Sequence, residues 1–325
     1  MTDPLVSVAV ITYNQVSYIA QAIECILQQE TGFPFELVIG EDCSTDGTRE
    51  KVEEFQQKYP DMIRIVTSER NVGITRNYYR TEKACRGKYI AYCEGDDFWH
   101  NPCKIEKQVG LLESHPECGL VCSDYDLHRV VSGKRTERVN RRMGRGGSSN
   151  LTFHDVMEGR SGILTCTVVV RRDVLEQVVD SDPALYQNEA LSIVDTQRWA
   201  EISHLTKVFY IDESLATHNL LEESVSQSKN KAKRLRYDIA GTEVMLYLCD
   251  KYAVSSNTRE IHQKNWYRMS LSQALYEGNA QQADAVRRKK GQFTFSEWLK
   301  YYAAKNRMVS CLLRAAAYCR DRLSA

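Results

Sequence analysis

Three apolar, β-branched runs in the first hundred residues each end in a polar cluster, with helical spacing filling the intervals between them. Val6-Ser7-Val8-Ala9-Val10-Ile11 leads into Thr12-Tyr13-Asn14, residues 35–39 lead into Glu41-Asp42, and residues 88–93 lead into Glu94-Gly95-Asp96-Asp97. Continuous apolar runs of this length read as strands buried on both faces. Ile19, Ala22, Ile23, Ile26 and Leu27 have helical spacing over 18–29, and Ser44, Thr45 or Asp46 can cap a second helix running to residue 58. A strand over 63–66, a helix over 77–86, a helix over 104–114 and a strand over 119–123 continue the alternation. Strands alternating with helices specify a mostly parallel sheet with both faces covered, so the expected class is α/β.

The pattern changes twice. Residues 124–150 are rich in Lys and Arg, with Ser132-Gly133-Lys134 expected as a hairpin turn and 144–149 as a loop. The stretch 129–145 reads as a solvated hairpin and loop, with a phosphate site or contact with an anionic acceptor as the competing reading. A strand over 162–171, helices over 175–180 and 195–203, and a last short strand over 208–211 follow. From residue 229 strand signals vanish and helical spacing takes over. Residues 229–325 hold 19 Lys and Arg against 8 Asp and Glu, although the whole chain balances 43 against 43. The expected organisation is a domain over 1–228, with halves 1–125 and 126–228, and a basic helical extension over 229–325.

Zero formal charge argues against a chain that coats nucleic acid. No apolar run approaches the ~18 residues of a membrane span, and Asp3 and Pro4 do not fit a secretory leader. Eleven cysteines without a C-x-x-C pair read as small buried hydrophobes in a reducing compartment. The implied location is cytoplasmic.

Ligands of open α/β sheets bind beyond the carboxyl ends of the strands. Paired carboxylates there are costly unless they meet water, a cation or hydrogen-bond donors. A divalent cation answers that cost, because hard cations prefer carboxylate oxygen, and it would attract a diphosphate in turn. No loop is a Walker A or G-x-G-x-x-G sequence.

Val6 to Asn14, Glu41-Asp42-Cys43-Ser44-Thr45-Asp46-Gly47-Thr48, Asn71-Val72-Gly73 with Asn77, Gly87-Lys88-Tyr89-Ile90-Ala91 and Glu94-Gly95-Asp96-Asp97-Phe98-Trp99 together resemble the family 2 glycosyltransferases of GT-A fold. The ordered set covers about residues 5–125, thins over 126–225 and stops beyond. The resemblance implies inverting transfer of a sugar from a nucleotide-diphosphate donor, a UDP-sugar by preference, with Mn²⁺ or Mg²⁺. It places Thr12, Tyr13, Asn14, Glu41, Asp42, Asn71, Gly73, Asn77 and Asp96 in donor binding. Within that set Tyr13 would stack on the base, Asp42 accept a hydrogen bond from it, and Asp96 lie near the ribose. Asp97 would hold the metal, and the small Gly95 would leave room for the diphosphate. Thr165-Cys166-Thr167 resembles the acceptor-side strand.

The implied catalytic base is Asp195, although Val194 stands where the family often has an acidic residue or Gly. At a helix start the dipole stabilises a carboxylate, which suits a base and equally suits a plain cap. Tyr13 has the competing reading of a packed aromatic. Thr217-His218-Asn219, with Ser224 and Ser226, resembles the flexible region that closes over the diphosphate, and His218 would ligate the metal or touch a phosphate. Processive synthases carry Gln-x-x-Arg-Trp and membrane spans; here Gln197-Arg198-Trp199 is contiguous, which favours single addition.

The implied acceptor is a glycan or lipid-linked hydroxyl of surface polysaccharide synthesis, and no nucleic-acid partner is expected. Residues 293–323 mix aromatics with Lys and Arg in an amphipathic pattern. That suits peripheral contact with the cytoplasmic face of the inner membrane, and also a packed subdomain or a homodimer. The rival functions are a sugar nucleotidyltransferase, whose Gly-rich basic loop is missing at Thr12-Tyr13-Asn14-Gln15, and a non-catalytic nucleotide-sugar-binding or scaffold protein.

Overall fold

β1 (Val6–Thr12) is buried at every position, which explains why its sequence shows no polar alternation. In the computed structural model, which describes residues 3–145, 149–188, 191, 193–222, 230–306 and 308–313, it is followed by α1 (Ile19–Leu27), β2 (Phe35–Glu41), α2 (Thr48–Lys58), β3 (Ile63–Val66), α3 (Ile74–Ala84) and β4 (Tyr89–Glu94). The spatial order is β3-β2-β1-β4, all parallel. The chain steps outward from β1 through β2 to β3, then returns to the other side of β1. Register pairs Thr12 with Glu41 and Ile11 with Glu94. All three polar clusters therefore leave the same edge, at the point where the strand order reverses.

The rest of this unit is β5 (Phe98–Trp99), α4 (Lys104–Ser114), β6 (Cys118–Arg129), β7 (Lys134–Thr136), α5 (Val139–Arg142), β8 (Asn150–Leu151), α6 (Phe153–Met157), β9 (Val169–Arg171), α7 (Arg172–Ser181), α8 (Pro183–Tyr186), α9 (Thr196–Leu205) and β10 (Lys207–Leu220). β9 runs antiparallel between β4 and β6, while β10 is parallel to β6 and antiparallel to β5. The result is a ten-stranded mixed sheet. β6 and β7 form the expected hairpin, with Gly133 at φ +66°.

Two strands differ from the sequence expectation. The strand expected over 162–171 is reduced to β9, preceded by a 3₁₀ turn at Thr165–Thr167. Thr167 Oγ1 donates to Leu164 O at 2.6 Å, a local bond that competes with a ladder. The strand expected over 208–211 instead runs to Leu220. Asp212, Glu213 and Ser214 interrupt the apolar pattern because the register with β6 shifts between Ile211 and Ser214.

The chain divides into compact units over 1–221 and 222–325. The second holds α10 (Lys231–Lys251), α11 (Ser256–Glu277), α12 (Ala280–Lys290) and α13 (Phe295–Lys305). Asn230, Ser255, Asn279 and Thr294 cap them, Thr294 in a capping box with Glu297. Leu271, Ala274, Ala283, Val286, Tyr301 and Ala304 form its core. Among the described residues no helix is long and apolar enough to cross a membrane. Cys85, Cys93, Cys118, Cys122, Cys166 and Cys249 are buried as expected, whereas Cys311 is exposed.

A polar clasp closes the end of β1 opposite the acidic loops. Ser7 Oγ donates to the buried Glu36 at 2.7 Å and accepts from the Arg86 and Gly87 amides. Arg86 and Arg64 add ion pairs to Glu36 at 2.8 and 3.2 Å. Burial works against the Glu36 carboxylate, but the bonds from Ser7, Arg86 and Arg64 hold its pKa below the usual value. A lowered folded pKa adds stability above the unfolded value of about 4.3, and that stability is lost as pH falls through the folded value. Both arginines are well exposed, so screening limits the effect to about 1 kcal/mol. Glu36→Gln should flatten the acid arm of a stability profile taken by urea unfolding below about pH 5. An unchanged arm would contradict the clasp.

Candidate active site

The loop after β1 is locked to the loop after β2. Asn14 takes φ +53°, its Oδ1 accepts from the Thr45 amide at 2.8 Å, and its own amide donates to Ser44 Oγ at 3.0 Å. Asp46 accepts from the Val16 and Thr48 amides at 3.0 Å. Thr12 Oγ1 donates to Gln15 Oε1 at 2.8 Å. Tyr13 is 46% exposed, so it is a surface ring at the strand end and not a packed core aromatic.

Glu41 and Asp42 organise backbone. Fully buried Glu41 accepts from the Ser44 and Cys43 amides at 2.6 and 3.2 Å. Asp42 is 2% exposed and takes the Val72 and Gly73 amides, one on each oxygen, at 2.9 Å. Arg80 lies 3.4 Å from the same carboxylate. Asn71 Nδ2 donates to the Asp42 carbonyl at 3.2 Å. Asn77 is buried lower down, donating to Gly40 O at 2.7 Å and accepting from Arg80 at 2.8 Å. Asn77 thus braces β2 beneath the loop.

The loop after β4 meets β10. Asp97, 2% exposed, accepts from the Asn219 amide at 2.9 Å and from His218 Nδ1 at 3.0 Å. Asn219 Nδ2 donates to Asp96 O at 2.6 Å. Thr217, His218 and Asn219 belong to strand β10, where Thr217 pairs with Phe98 and with Asp126. The expectation of a flexible region is corrected for these three residues, because strands on both sides hold them; Ser224 and Ser226 lie outside the described residues. A Cβ on Gly95 would come within 2.8 Å of Thr12 Cβ and 2.5 Å of Gln15 Oε1. The approach of these two loops is itself a reason for a small residue at this position.

Charge is crowded here. Burial, then Asp97, raises the half-buried Asp96 to about 7. Burial followed by Asp97, Asp96 and Asp195 pushes Glu94 well up. Burial works against a charged His218, but Asp97, then Glu94 and Asp96, lift it to about 9. Potential ligand atoms of Glu94, Asp97 and Cys166 lie within 4.8 Å of one another. The two carboxylates fit Mn²⁺ or Mg²⁺. Burial, then Asp97 and Glu94, raises the Cys166 thiol, which suits a hard cation poorly.

Asp195 reaches the same edge from the start of α9. Its Oδ1 accepts from the Thr196 amide at 2.7 Å and its Oδ2 from Thr165 Oγ1 at 3.1 Å. It is therefore a helix cap, and its charge also raises Glu94 and the buried Tyr78, whose hydroxyl donates to Glu94 at 3.0 Å. Thr75 Oγ1 donates to Leu191 O at 2.5 Å, tying the loop before Asp195 to α3.

The sequence profile described as Glycosyl transferase family 2 matches residues 7–179. The chain belongs to this family. It is 28% identical to the putative teichuronic acid biosynthesis glycosyltransferase TuaG of Bacillus subtilis, over 71% of this chain and 85% of that protein. It is 25% identical to WfgD of Escherichia coli, a UDP-Glc:alpha-D-GlcNAc-diphosphoundecaprenol beta-1,3-glucosyltransferase, over 74% and 87%. An uncharacterized protein of Mycobacterium tuberculosis is 41% identical over 34% of this chain, and the chain spans 32% of that longer protein. The fold is that of Staphylococcus aureus TarS 1-349 in complex with UDP-GlcNAc (TM-score 0.56, 17% identity, 92% of this chain and 79% of that one). It is also that of the Pyrobaculum calidifontis mannosyltransferase PcManGT in complex with GDP-Man and Mn²⁺ (0.53, 14%, 96% and 87%). The GT-A expectation therefore holds.

Sequence reasoning missed what holds this family 2 site in place. Arg80 and Glu82 drew no reading, and Arg198 was read only as part of Gln197-Arg198-Trp199. Arg198 is 1% exposed, pairs with Glu82 at 3.1 Å, and lies beside the rings of Tyr78 and Tyr186. Tyr92 donates to Glu82 at 2.7 Å and packs edge-on against Trp199 at 5.5 Å. The contiguous Gln197-Arg198-Trp199 was the available signal, because an Arg flanked by residues of a buried helix face needs a carboxylate partner. Arg198→Met leaves Glu82 buried without its cation and should cost about 3–5 kcal/mol in urea unfolding, with Glu82→Gln in the same chain restoring part. A loss below about 1 kcal/mol would contradict the pairing.

Proposed function

We propose that this chain transfers a single sugar from a nucleotide-diphosphate sugar, a UDP-sugar by preference, to a hydroxyl of a glycan or lipid-linked acceptor in surface polysaccharide synthesis, with inversion. The observation that carries the reading is the convergence of Tyr13, Asp42, Asp96, Asp97 and Asp195 at the switch-point edge of the sheet. The names of TuaG and WfgD support the polysaccharide and lipid-linked context, and the UDP-GlcNAc and GDP-Man complexes of the structural neighbours support a nucleotide-sugar donor. The reading places the reaction on the cytoplasmic side, where nucleotide sugars are made.

In this reading exposed Tyr13 offers a stacking face to the base. Asp42 and the Asn71–Gly73 loop it orders form the wall beside it. Asp97, with Glu94, would hold Mn²⁺ or Mg²⁺, which supplies positive charge to the leaving diphosphate. His218 lies against Asp97 and sets how much negative charge that carboxylate presents. Asp195 takes the proton of the acceptor hydroxyl. The freed oxygen bonds the anomeric carbon as the bond to the diphosphate breaks, and the electron pair leaves with the phosphate oxygen. A single displacement from the opposite side inverts that carbon.

Thermal shifts with UDP, GDP, dTDP and CDP, each with Mn²⁺ and with chelator, identify the base. One nucleotide should stabilise by about 2.7 kcal/mol at a hundredfold excess over its Kd, and only with metal. Asp195→Asn should keep that shift and lose turnover, by about 10²–10⁴-fold. Asp97→Ala should lose both. No shift with any nucleotide would favour the scaffold reading, and loss of the shift in Asp195→Asn would move that residue out of the base role.

A further inference from the structure

A solvated hairpin accounts for only part of the basic stretch over 129–145. Around α5 its arginines are answered. Arg138 and Arg141 pair with Asp212 at 2.6 and 2.9 Å, and Arg142 Nε donates to the Glu137 carbonyl at 2.7 Å. Arg145, half-buried in the loop after α5, has neither an ion pair nor a side-chain hydrogen bond among the described residues. A guanidinium taken part-way out of water without a partner is costly.

Local structure fixes where Arg145 stands. Its amide donates to Asn140 O at 2.8 Å, and the buried Asn140 donates from Nδ2 to Gly162 O at 2.9 Å. Gly162 takes φ +60°, and a Cβ there would come within 2.1 Å of Asn140 Oδ1 and 3.1 Å of Arg145 Cδ. The stem of Arg145 therefore lies along Gly162, a short way before Thr165, whose hydroxyl donates to Asp195. Tyr125 belongs to the same region. It pairs with Ala216 of β10, and Leu127, next on its side of β6, pairs with His218. Alternation thus sets the Tyr125 side chain on the His218 face of the sheet. Burial, then Cys166, raises its hydroxyl, with Asp124 and Asp97 adding to the rise, and Arg145 is the cation that opposes them. That hydroxyl also has no hydrogen bond among the described residues. Arg145 is within electrostatic reach of a tyrosine that also feels Asp97.

We propose that Arg145 and the Tyr125 hydroxyl bind a phosphate group carried by the acceptor. The inference rests on the donor-site reading, which puts the nucleotide at the ends of β1 and β2. Tyr125 lies on β6, across β4 from those strands, and that side is left for the acceptor. The guanidinium fork takes two phosphate oxygens and the tyrosine O–H a third, a set that a carboxylate with two oxygens does not fill. A neutral glycan leaves the guanidinium unanswered. A lipid-linked diphosphate and a phosphate monoester on the glycan both present these oxygens.

The test titrates the full chain, in chelator, with geranyl diphosphate, glucose 1-phosphate and trigalacturonic acid by calorimetry. A phosphate probe should bind, and Arg145→Gln should weaken it about tenfold at unchanged Tm. Tyr125→Phe should weaken it about threefold, while Arg142→Gln, which removes a neighbouring charge, should leave it within about twofold. Tighter binding of geranyl diphosphate assigns the group to a lipid-linked acceptor, and equal or tighter binding of glucose 1-phosphate assigns it to the glycan. No binding of either phosphate, binding that Arg145→Gln leaves intact, an equal loss in Arg142→Gln, or trigalacturonic acid as the better ligand would overturn the proposal. The thermal shift with UDP and Mn²⁺ keeps the two readings apart. It should survive Arg145→Gln, and its absence from the unaltered chain would count against the donor site and not against Arg145. If Arg145→Gln fails to fold, Tyr125→Phe and Arg145→Lys, which keeps the charge and loses the fork, still decide.

Discussion

The register of β1 between β2 and β4 decides where every polar loop of the site emerges. β1 is buried on both faces, so a slip of one residue would exchange Val6, Val8 and Val10 with Ser7, Ala9 and Ile11 across a packed sheet. Ser7 pins that register from below, because its hydroxyl must meet Glu36 and the amides of Arg86 and Gly87. From above, the Gly95 amide donates to Ile11 O and the Asp42 amide to Thr12 O at 3.0 and 3.1 Å. With both ends fixed, Asn14, Asp42 and Asp96 leave one edge as a consequence of strand pairing, without any contact designed for a ligand.

The same edge concentrates acids that water reaches poorly. Burial, with Asp97 alongside, raises the proton affinity of Glu94 and Asp96, and His218 is the cation that β10 supplies beside them. A buried group of this kind is retained at a stability cost only where something else gains. β10 and α9 bring the remaining parts, and each is fixed by a buried polar contact: Asn219 to Asp97, and Arg198 to Glu82. The support is as polar as the site it supports. Hydrogen-bond direction, and not apolar packing alone, sets where Asp97 and Asp195 stand.

Much of this was legible in the sequence. The strand–helix alternation of the first half, the edge clusters at Thr12, Glu41 and Glu94, and the helical C-terminal stretch followed from periodicity and from residue type at the ends of runs. What was not legible depended on partners distant in sequence. β10 was cut short because Asp212, Glu213 and Ser214 obscure a strand whose pairing tolerates register shifts. The run over 162–171 was apolar enough for a strand, yet Thr167 bonds its own backbone and Thr165 reaches Asp195. Asp42 was read as facing a ligand base, and its first partners are the amides of Val72 and Gly73. Arg80 and Glu82 carry no local signature, and the partner that Arg198 needs is visible only once both helices are in place.

The central claim is that a nucleotide diphosphate seats at this edge with its phosphates toward Asp97. A crystal structure of the full chain with UDP and Mn²⁺, with manganese located by anomalous scattering, tests it most directly. The account predicts a manganese peak in coordination contact with an Asp97 carboxylate oxygen, the diphosphate beside it, and the uracil against Tyr13 within reach of the Asp42 side. Manganese or nucleotide bound elsewhere on the chain, with Asp97 still engaged by His218 and Asn219, would contradict it.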